Sequence, residues 1–224
     1  MLRRTLLASA VVLAGACACA APAAFAFTEG KDADYITLDK PLPGGEGKIV
    51  KIWSYDCPFC FKFDAGVDPK AVPAAEKATG LKFDMFHIET KGKYGRAGSE
   101  LFAWCMLRDK AAGITDWENP DSLFKKAKDA VYKAYHRQGQ RWPEGEAAFL
   151  KTGLDAIGAK PEEFMAARKT PEVQALADSW KPSYDVAKIQ GIPAYVVNGK
   201  YLVMTKSIRS LQGFVDLLTE LSKK

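Results

Sequence analysis

Cysteine and histidine are scarce in this chain, and the scarcity narrows its chemistry. Of five cysteines, Cys17 and Cys19 lie near the amino terminus, leaving Cys57, Cys60 and Cys105 for the body of the protein. The two histidines, His87 and His136, are far apart in sequence. A tetrahedral structural zinc site needs four ligands, usually as two close pairs, and only one pair, Cys57 and Cys60, is present. A c-type haem needs His directly after the second Cys of a Cys-x-x-Cys pair, and Phe61 stands there. No metal and no bound cofactor are expected. Excess charge is lacking too: 32 Lys and Arg face 27 Asp and Glu, a balance too even to argue for nucleic acid. Beyond the amino terminus no segment reaches the roughly 18 apolar residues that a membrane span requires, and no fixed-period repeat is detectable.

At the start, Met1-Leu2-Arg3-Arg4 precedes an apolar run from Thr5 to Ala16, and Ala24-Phe25-Ala26 fits the small-x-small cleavage rule. Residues 1–26 therefore read as a cleaved signal peptide and Phe27 as the mature amino terminus. A transmembrane anchor is disfavoured because Pro22 interrupts the apolar stretch. A lipoprotein signal is only partly matched by Ala14-Gly15-Ala16-Cys17, which has Ala where Leu is usual. Three cysteines in an exported chain is an odd number, so one is left over. With 48% apolar residues, a chain of this length buries a full core without disulfide staples.

What is present is a strand running into a Cys-Pro-Phe-Cys turn. Lys48-Ile49-Val50-Lys51-Ile52-Trp53 alternates apolar and polar side chains with β-branched residues, as a strand beside a core does. Pro58 falls at a first helical position, where its missing N–H costs nothing, so Cys57 becomes the N-cap. Its sulfur can accept from the amides of Phe59 and Cys60 and feels the positive helix terminus, and both effects favour a thiolate. A Cys-x-x-Cys pair between a strand and a helix reads as redox-active; a metal half-site or a plain structural bridge is the alternative.

Around this centre the chain falls into three parts. Asp34 to Leu38 is an edge strand closed by the Pro41–Gly45 turn. The helix from Pro58 carries Phe59, Phe63 and Val67 at helical spacing, then meets Pro69 and Pro73, which should kink or split it. Leu81 to Ile88 alternates as a further strand, and Gly92 to Gly98 reads as a basic loop. From Ser99 strand signals vanish: Leu101–Leu107, Leu123–Tyr135, Glu146–Ile157, Pro161–Arg168 and Pro171–Trp180 read as short helices, with Asp121 and Thr170 as caps. Strands return at Ala194–Val197 and Lys200–Met204 around Asn198-Gly199, a strong two-residue hairpin signal. Ile208, Leu211, Val215 and Leu218 make an amphipathic terminal helix behind a Ser207 cap. The order is that of an α/β thioredoxin fold with a helical subdomain inserted between the third strand and the final hairpin. Residues 27–98 and 181–224 form the thioredoxin-like part and residues 99–180 the insert.

The Cys57-Pro58-Phe59-Cys60 turn, the Gly191-Ile192-Pro193 segment and the helical insert between them resemble the DsbA family of periplasmic dithiol oxidases. The stretches 86–92, 151–155 and 183–191 are similar to its DsbL branch, and the likeness runs through essentially all of the mature chain. The resemblance implies that Cys57 is the exposed nucleophile and Cys60 the buried resolving thiol. It also implies that Pro193 is cis and lies against the disulfide, and that Pro58, Phe59 and Ile192 line the substrate contact. It implies a periplasmic monomer acting on reduced exported proteins, an aryl-sulfate sulfotransferase among them, and reoxidised by a membrane quinone-linked partner of the DsbB or DsbI type.

This chain also departs from the family. Many DsbA proteins place His third in the motif, where Phe59 supplies no charge, and carry a buried Glu six residues before the nucleophile, where Lys51 stands. Lys51 either points beneath the motif and favours the thiolate or is a solvated strand residue; Asp56 should oppose ionisation of its neighbour. Cys105 reads as a buried inert thiol or a redox partner, and His87 as structural or close to the site. Lys91, Lys93 and Arg96 form either a basic rim for acidic substrates or a solvated loop. Three functions follow: a disulfide-donating oxidase, the same chemistry run as an isomerase or reductase, and a non-catalytic binding protein with a structural disulfide or metal.

Overall fold

The computed structural model describes residues 27–224, so the signal-peptide reading lies outside the described residues. Five strands form one sheet: β1 (Tyr35–Thr37), β2 (Lys48–Trp53), β3 (Lys82–His87), β4 (Ala194–Val197) and β5 (Tyr201–Val203), in the order β1-β5-β4-β2-β3. β2 and β3 are parallel; the other pairings are antiparallel. β2 thus lies between β3 and β4 and is covered on both faces. All its residues from Ile49 to Trp53 are buried, where the sequence pattern suggests one buried face only. A central strand with both faces packed has no solvated side for Lys51 to occupy. Lys51 pairs in register with Met85 on one side and Tyr195 on the other.

The Cys motif emerges from the carboxyl end of β2. Because β4 runs antiparallel to β2, its amino-terminal end lies at the same edge of the sheet, and Ile192-Pro193, a cis peptide, precedes it there. The hairpin turns through Asn198 and Gly199, both with positive φ (52° and 66°), as a tight two-residue turn requires.

Helix α1 (Pro58–Gly66) follows the motif and breaks at Val67, and α2 (Asp68–Thr79) begins just before Pro69. Pro69 therefore sits in a first turn, where the missing N–H costs little, while Pro73 rides inside α2. The insert comprises α3 (Gly95–Ala111), α4 (Leu123–His136), α5 (Glu146–Ala156), α6 (Pro161–Ala167) and α7 (Pro171–Ser179). α8 (Ser183–Gln190), for which no helix is expected from the sequence, leads back to β4. α9 (Leu211–Ser222) closes the chain against α2.

Three local expectations are corrected. α3 starts at Gly95, inside the stretch read as loop. There the glycines are packing devices: a Cβ on Gly95 would lie 2.0 Å from the Glu89 carbonyl oxygen, and one on Gly98 would press on His87 and Phe149. α4 is capped by Ser122, whose Oγ accepts from the Lys125 amide, and not by Asp121. The buried Asp109 carboxylate reinforces that cap by accepting from Ser122 Oγ and the Leu123 and Phe124 amides. α9 begins after Ser210, whose Oγ accepts from the Gly213 amide, while Ser207 closes a short 3-10 turn.

Candidate active site

Cys57 is the N-cap of α1 with extended backbone angles, and its sulfur accepts from the Cys60 amide at 3.1 Å. The Cys57 thiol in turn donates to the Ile192 carbonyl at 3.4 Å, linking chain segments 135 residues apart. Cys57 and Cys60 are free thiols here, and both are buried: Cys57 is 4% exposed, its thiol turned to the Ile192 carbonyl, where the family likeness implies an exposed nucleophile. A hydrogen bond from the Cys60 thiol, the Cys60 and Phe59 amides and the charge of Lys91 together bring the Cys57 thiol down to about 7, with burial opposing them. Cys60 is fully buried, and that burial, with the hydrogen bond to Cys57, pushes its thiol well above the ordinary range. One sulfur is poised as a thiolate while its partner three residues on stays protonated, the division of labour that thiol exchange needs.

The loop before Cys57 is held by the chain's two histidines, both on the Tyr55 peptide. His87 Nε2 accepts from the Tyr55 amide at 3.4 Å, which leaves Nδ1–H to donate to Ser99 Oγ at 2.8 Å. His136 Nε2 meets the Tyr55 carbonyl at 2.9 Å, so it is the protonated nitrogen and donates. Burial brings His87 down to about 3 and also lowers His136. Both act as neutral struts. The Tyr55 side chain completes the anchorage: its hydroxyl accepts from the Tyr94 amide, and its ring packs on Phe149 and Trp142. His136 carried no sequence signal for this role, because only the packing of α4 against α1 brings it to the motif.

Phe59 is 62% exposed, with the Lys62 ammonium over its ring, and Pro58 is exposed beside it. Ile192 is half-buried and Pro193 buried. Asp56 turns back to accept from Ser54 Oγ at 2.7 Å.

Beneath the motif lies a buried cluster of charges. Lys51 is fully buried, donates to Asp68 and sits 3.6 Å from Asp64; Lys128 of α4 donates to Asp64, and the Tyr195 hydroxyl donates to Asp68. Burial pulls Lys51 down, but Asp68 and Asp64 outweigh it and hold the ammonium above its ordinary range. Burial likewise raises Asp64, and Lys128 and Lys51 more than compensate, leaving its carboxyl low. Lys51 is thus directed under the motif, but the sulfur it acts on is Cys60, whose thiol it pulls down against burial.

The remaining residues singled out from the sequence separate from the centre. Cys105 is fully buried in α3, and burial pushes its thiol up; it is an inert core thiol. Arg96 does not belong to a free basic rim: its guanidinium binds Glu89, Glu100, Asp178 and Gln174, tying α3 to α7 and to the loop after β3. Lys91 and Lys93 are exposed, and Lys93 lies over the Tyr94 ring. No group of three or more His, Cys, Asp or Glu placed to hold a metal occurs among the described residues.

A low-pKa N-cap cysteine, a buried second thiol three residues on and a cis proline across from them, all at one edge of a thioredoxin-type sheet, define a thiol:disulfide oxidoreductase. No family model matches the chain. Over 204 residues it is 52% identical to the thiol:disulfide interchange protein DsbL of Escherichia coli O6:H1, covering 90% of this chain and 89% of that protein. A crystal structure of reduced DsbL superposes with a TM-score of 0.80 at 50% identity, covering 88% of this chain and 100% of that one. DsbA of Proteus mirabilis, at 22% identity and a TM-score of 0.60, covering 84% of this chain and 92% of that one, shares the fold. The chain belongs to the DsbA family of thiol:disulfide interchange proteins, in its DsbL branch.

Proposed function

We propose that the protein is an exported dithiol oxidase that donates a Cys57–Cys60 disulfide to reduced proteins in the periplasm. The observation that carries this reading is the opposed tuning of the two sulfurs, Cys57 down to about 7 and Cys60 well up. A stabilised Cys57 thiolate favours the reduced protein, and a protein that prefers to be reduced is a strong oxidant. A substrate thiolate attacks Cys57 and Cys60 departs; a second substrate thiolate then attacks the substrate sulfur of the mixed disulfide and releases Cys57 as its thiolate.

In this reading Pro193 and the Ile192 backbone hold the substrate strand against Cys57, with Pro58 and Phe59 as its apolar neighbours. Lys51 tunes Cys60 from below, and Asp56 sets the turn before the nucleophile. Residues 1–26 are the export signal, residues 27–98 and 181–224 the redox domain and residues 99–180 the helical insert, α3 crossing the first boundary. The protein works as a monomer. A membrane quinone-linked protein of the DsbB or DsbI type reoxidises it, and an exported aryl-sulfate sulfotransferase is a dedicated client, Lys91 and Lys93 guiding acidic surfaces toward Cys57.

The test is oxidation of a reduced, unfolded disulfide protein by the purified oxidised chain. Disulfides should form in the substrate as Cys57 and Cys60 are reduced, and Cys57→Ser should abolish transfer. Transfer that survives Cys57→Ser would sink the assignment. A reduction potential near the roughly −270 mV of thioredoxin would move the protein to the reductase reading instead.

A further inference from the structure

A strand held by the Ile192 backbone needs the Ile192 carbonyl as an acceptor, and in the dithiol protein that carbonyl is already engaged. The Cys57 thiol donates to it at 3.4 Å. The ladder between β2 and β4 starts at Ala194, opposite Ile52, so the Ile192 carbonyl lies outside it. Among the described residues no backbone amide donates to that oxygen. A carbonyl oxygen has two lone pairs, but the thiol takes the side facing the motif, which is the side on which a strand laid over Cys57 must lie. The contact also accounts for the burial of the nucleophile: Cys57 is covered although Pro58 and Phe59 beside it are exposed, and the half-buried Ile192 and the buried Pro193 lie across from it.

The hydrogen in this contact belongs to one redox state only. In the disulfide form the Cys57 sulfur is bonded to Cys60 and has nothing to donate. In the dithiol form it carries a proton below about pH 7, a proton acted on by the Cys60 thiol and amide and the Phe59 amide from α1 and by Lys91 from the loop after β3. Asp56, the adjacent carboxylate, is turned to Ser54. The acceptor that faces a substrate strand is therefore occupied in the reduced protein and vacant in the oxidised one.

We propose that the Cys57 thiol closes the Ile192 carbonyl to substrate in the reduced protein and that formation of the Cys57–Cys60 disulfide opens it, so that the chain holds client strands while it has a disulfide to give and releases them once it has given it. This rests on the oxidase reading above. One substrate thiolate bonds to Cys57 as the Cys57–Cys60 bond breaks and its electron pair goes to Cys60. A second substrate thiolate bonds to the substrate sulfur, and Cys57 leaves with the electron pair of the mixed disulfide. The substrate has lost two electrons, the protein has gained them, and Cys57 and Cys60 each take a proton from solvent in place of those the substrate thiols gave up. The new Cys57 S–H then turns to the Ile192 carbonyl and displaces the substrate amide that had been bonded there. The difference between the two states is the worth of one neutral hydrogen bond, roughly 2- to 10-fold in affinity. That is enough to bias release of oxidised clients without preventing exchange.

The probe is an unfolded disulfide protein with serine in place of every cysteine, which binds without exchanging. Its affinity is measured by NMR titration at pH 6, where Cys57 keeps its proton, for oxidised wild type, reduced wild type and Cys57→Ala. The carbonyl carbon shift of Ile192 reports the internal hydrogen bond directly. Oxidised wild type and Cys57→Ala, neither of which has a hydrogen to donate at residue 57, should bind alike and share one Ile192 carbonyl shift. Reduced wild type should bind roughly 2- to 10-fold more weakly and show the shift of a hydrogen-bonded carbonyl. Equal affinity of oxidised and reduced wild type would overturn the gate. So would Cys57→Ala binding as weakly as reduced wild type, since the disulfide itself and not the missing hydrogen would then set the affinity. An Ile192 carbonyl shift common to all three proteins overturns it as well, however weak the binding. Each of these results leaves the oxidase assignment standing; that assignment fails only if the oxidised protein leaves the thiols of a reduced client unoxidised.

Discussion

The stability of the reduced protein should depend on pH in a way that the oxidised protein cannot match. Cys57 falls from 9.0 in the unfolded chain to about 7 in the folded dithiol. A group whose folded pKa is depressed adds stability above its unfolded value and loses it as pH falls through the folded one. Two pKa units correspond to about 2.7 kcal/mol, and solvent on the open side of the sulfur trims this toward about 2 kcal/mol. Cys60 acts in the opposite sense, because its folded pKa is raised: the unfolded chain ionises above pH 9 where the folded one does not. Reduced protein should therefore gain on oxidised protein from pH 6 to pH 9 and lose ground beyond. Urea unfolding of both forms at matched pH, with thiols kept reduced in one series, measures the difference directly. The disulfide's own loop constraint does not change with pH and cancels from the trend. A flat difference between pH 6 and pH 9 would show that Cys57 is not held as a thiolate, and the argument for an oxidising dithiol would fail with it.

Replacing Lys51 by Met leaves Asp64 and Asp68 short of a buried cation; the expected cost is about 3–5 kcal/mol, read from urea unfolding, with Cys60 harder to ionise and attack on a Cys57 mixed disulfide slower. Phe59→Ala should change stability by less than about 0.5 kcal/mol, as expected for an exposed side chain, while weakening capture of peptide substrates in mixed-disulfide assays; a large stability loss would place Phe59 in the core after all.

The motif, the hairpin and the cis proline were readable because each has a local signature: a strand feeding Cys-Pro-Phe-Cys, the Asn198-Gly199 pair, and a Gly-Ile-Pro segment whose meaning comes from the family likeness. What was not readable depends on packing. Gly95 and Gly98 look like loop residues, yet the Glu89 backbone leaves no room for a Cβ at residue 95, and His87 and Phe149 crowd one at residue 98. Arg96 looks like a surface cation, and only the fold gathers Glu100, Gln174 and Asp178 around it. The charge cluster under the motif was legible only at Lys51, six residues before the nucleophile, and there the alternation of the strand left a solvated side open, which the burial of β2 on both faces closes. Asp64 and Lys128 could not have been found, since nothing local says that α4 lies against α1.

The hydrogen bond from Cys57 to the Ile192 carbonyl spans 135 residues of chain, and this separation has a meaning for the order in which the molecule is made. At ribosomal speeds of roughly 5–20 residues per second, the cysteines are synthesised on the order of ten seconds before the strand that will face them. Until β4 arrives, β2 has an open edge and Cys57 lacks the carbonyl that receives its thiol. The groups that bring the Cys57 thiol down all lie between residues 57 and 91, whereas Ile192 and Pro193, the segment that would receive a substrate strand in the proposed reading, are made last. The newborn chain thus carries its reactive pair before it carries the surface that presents the pair to another protein.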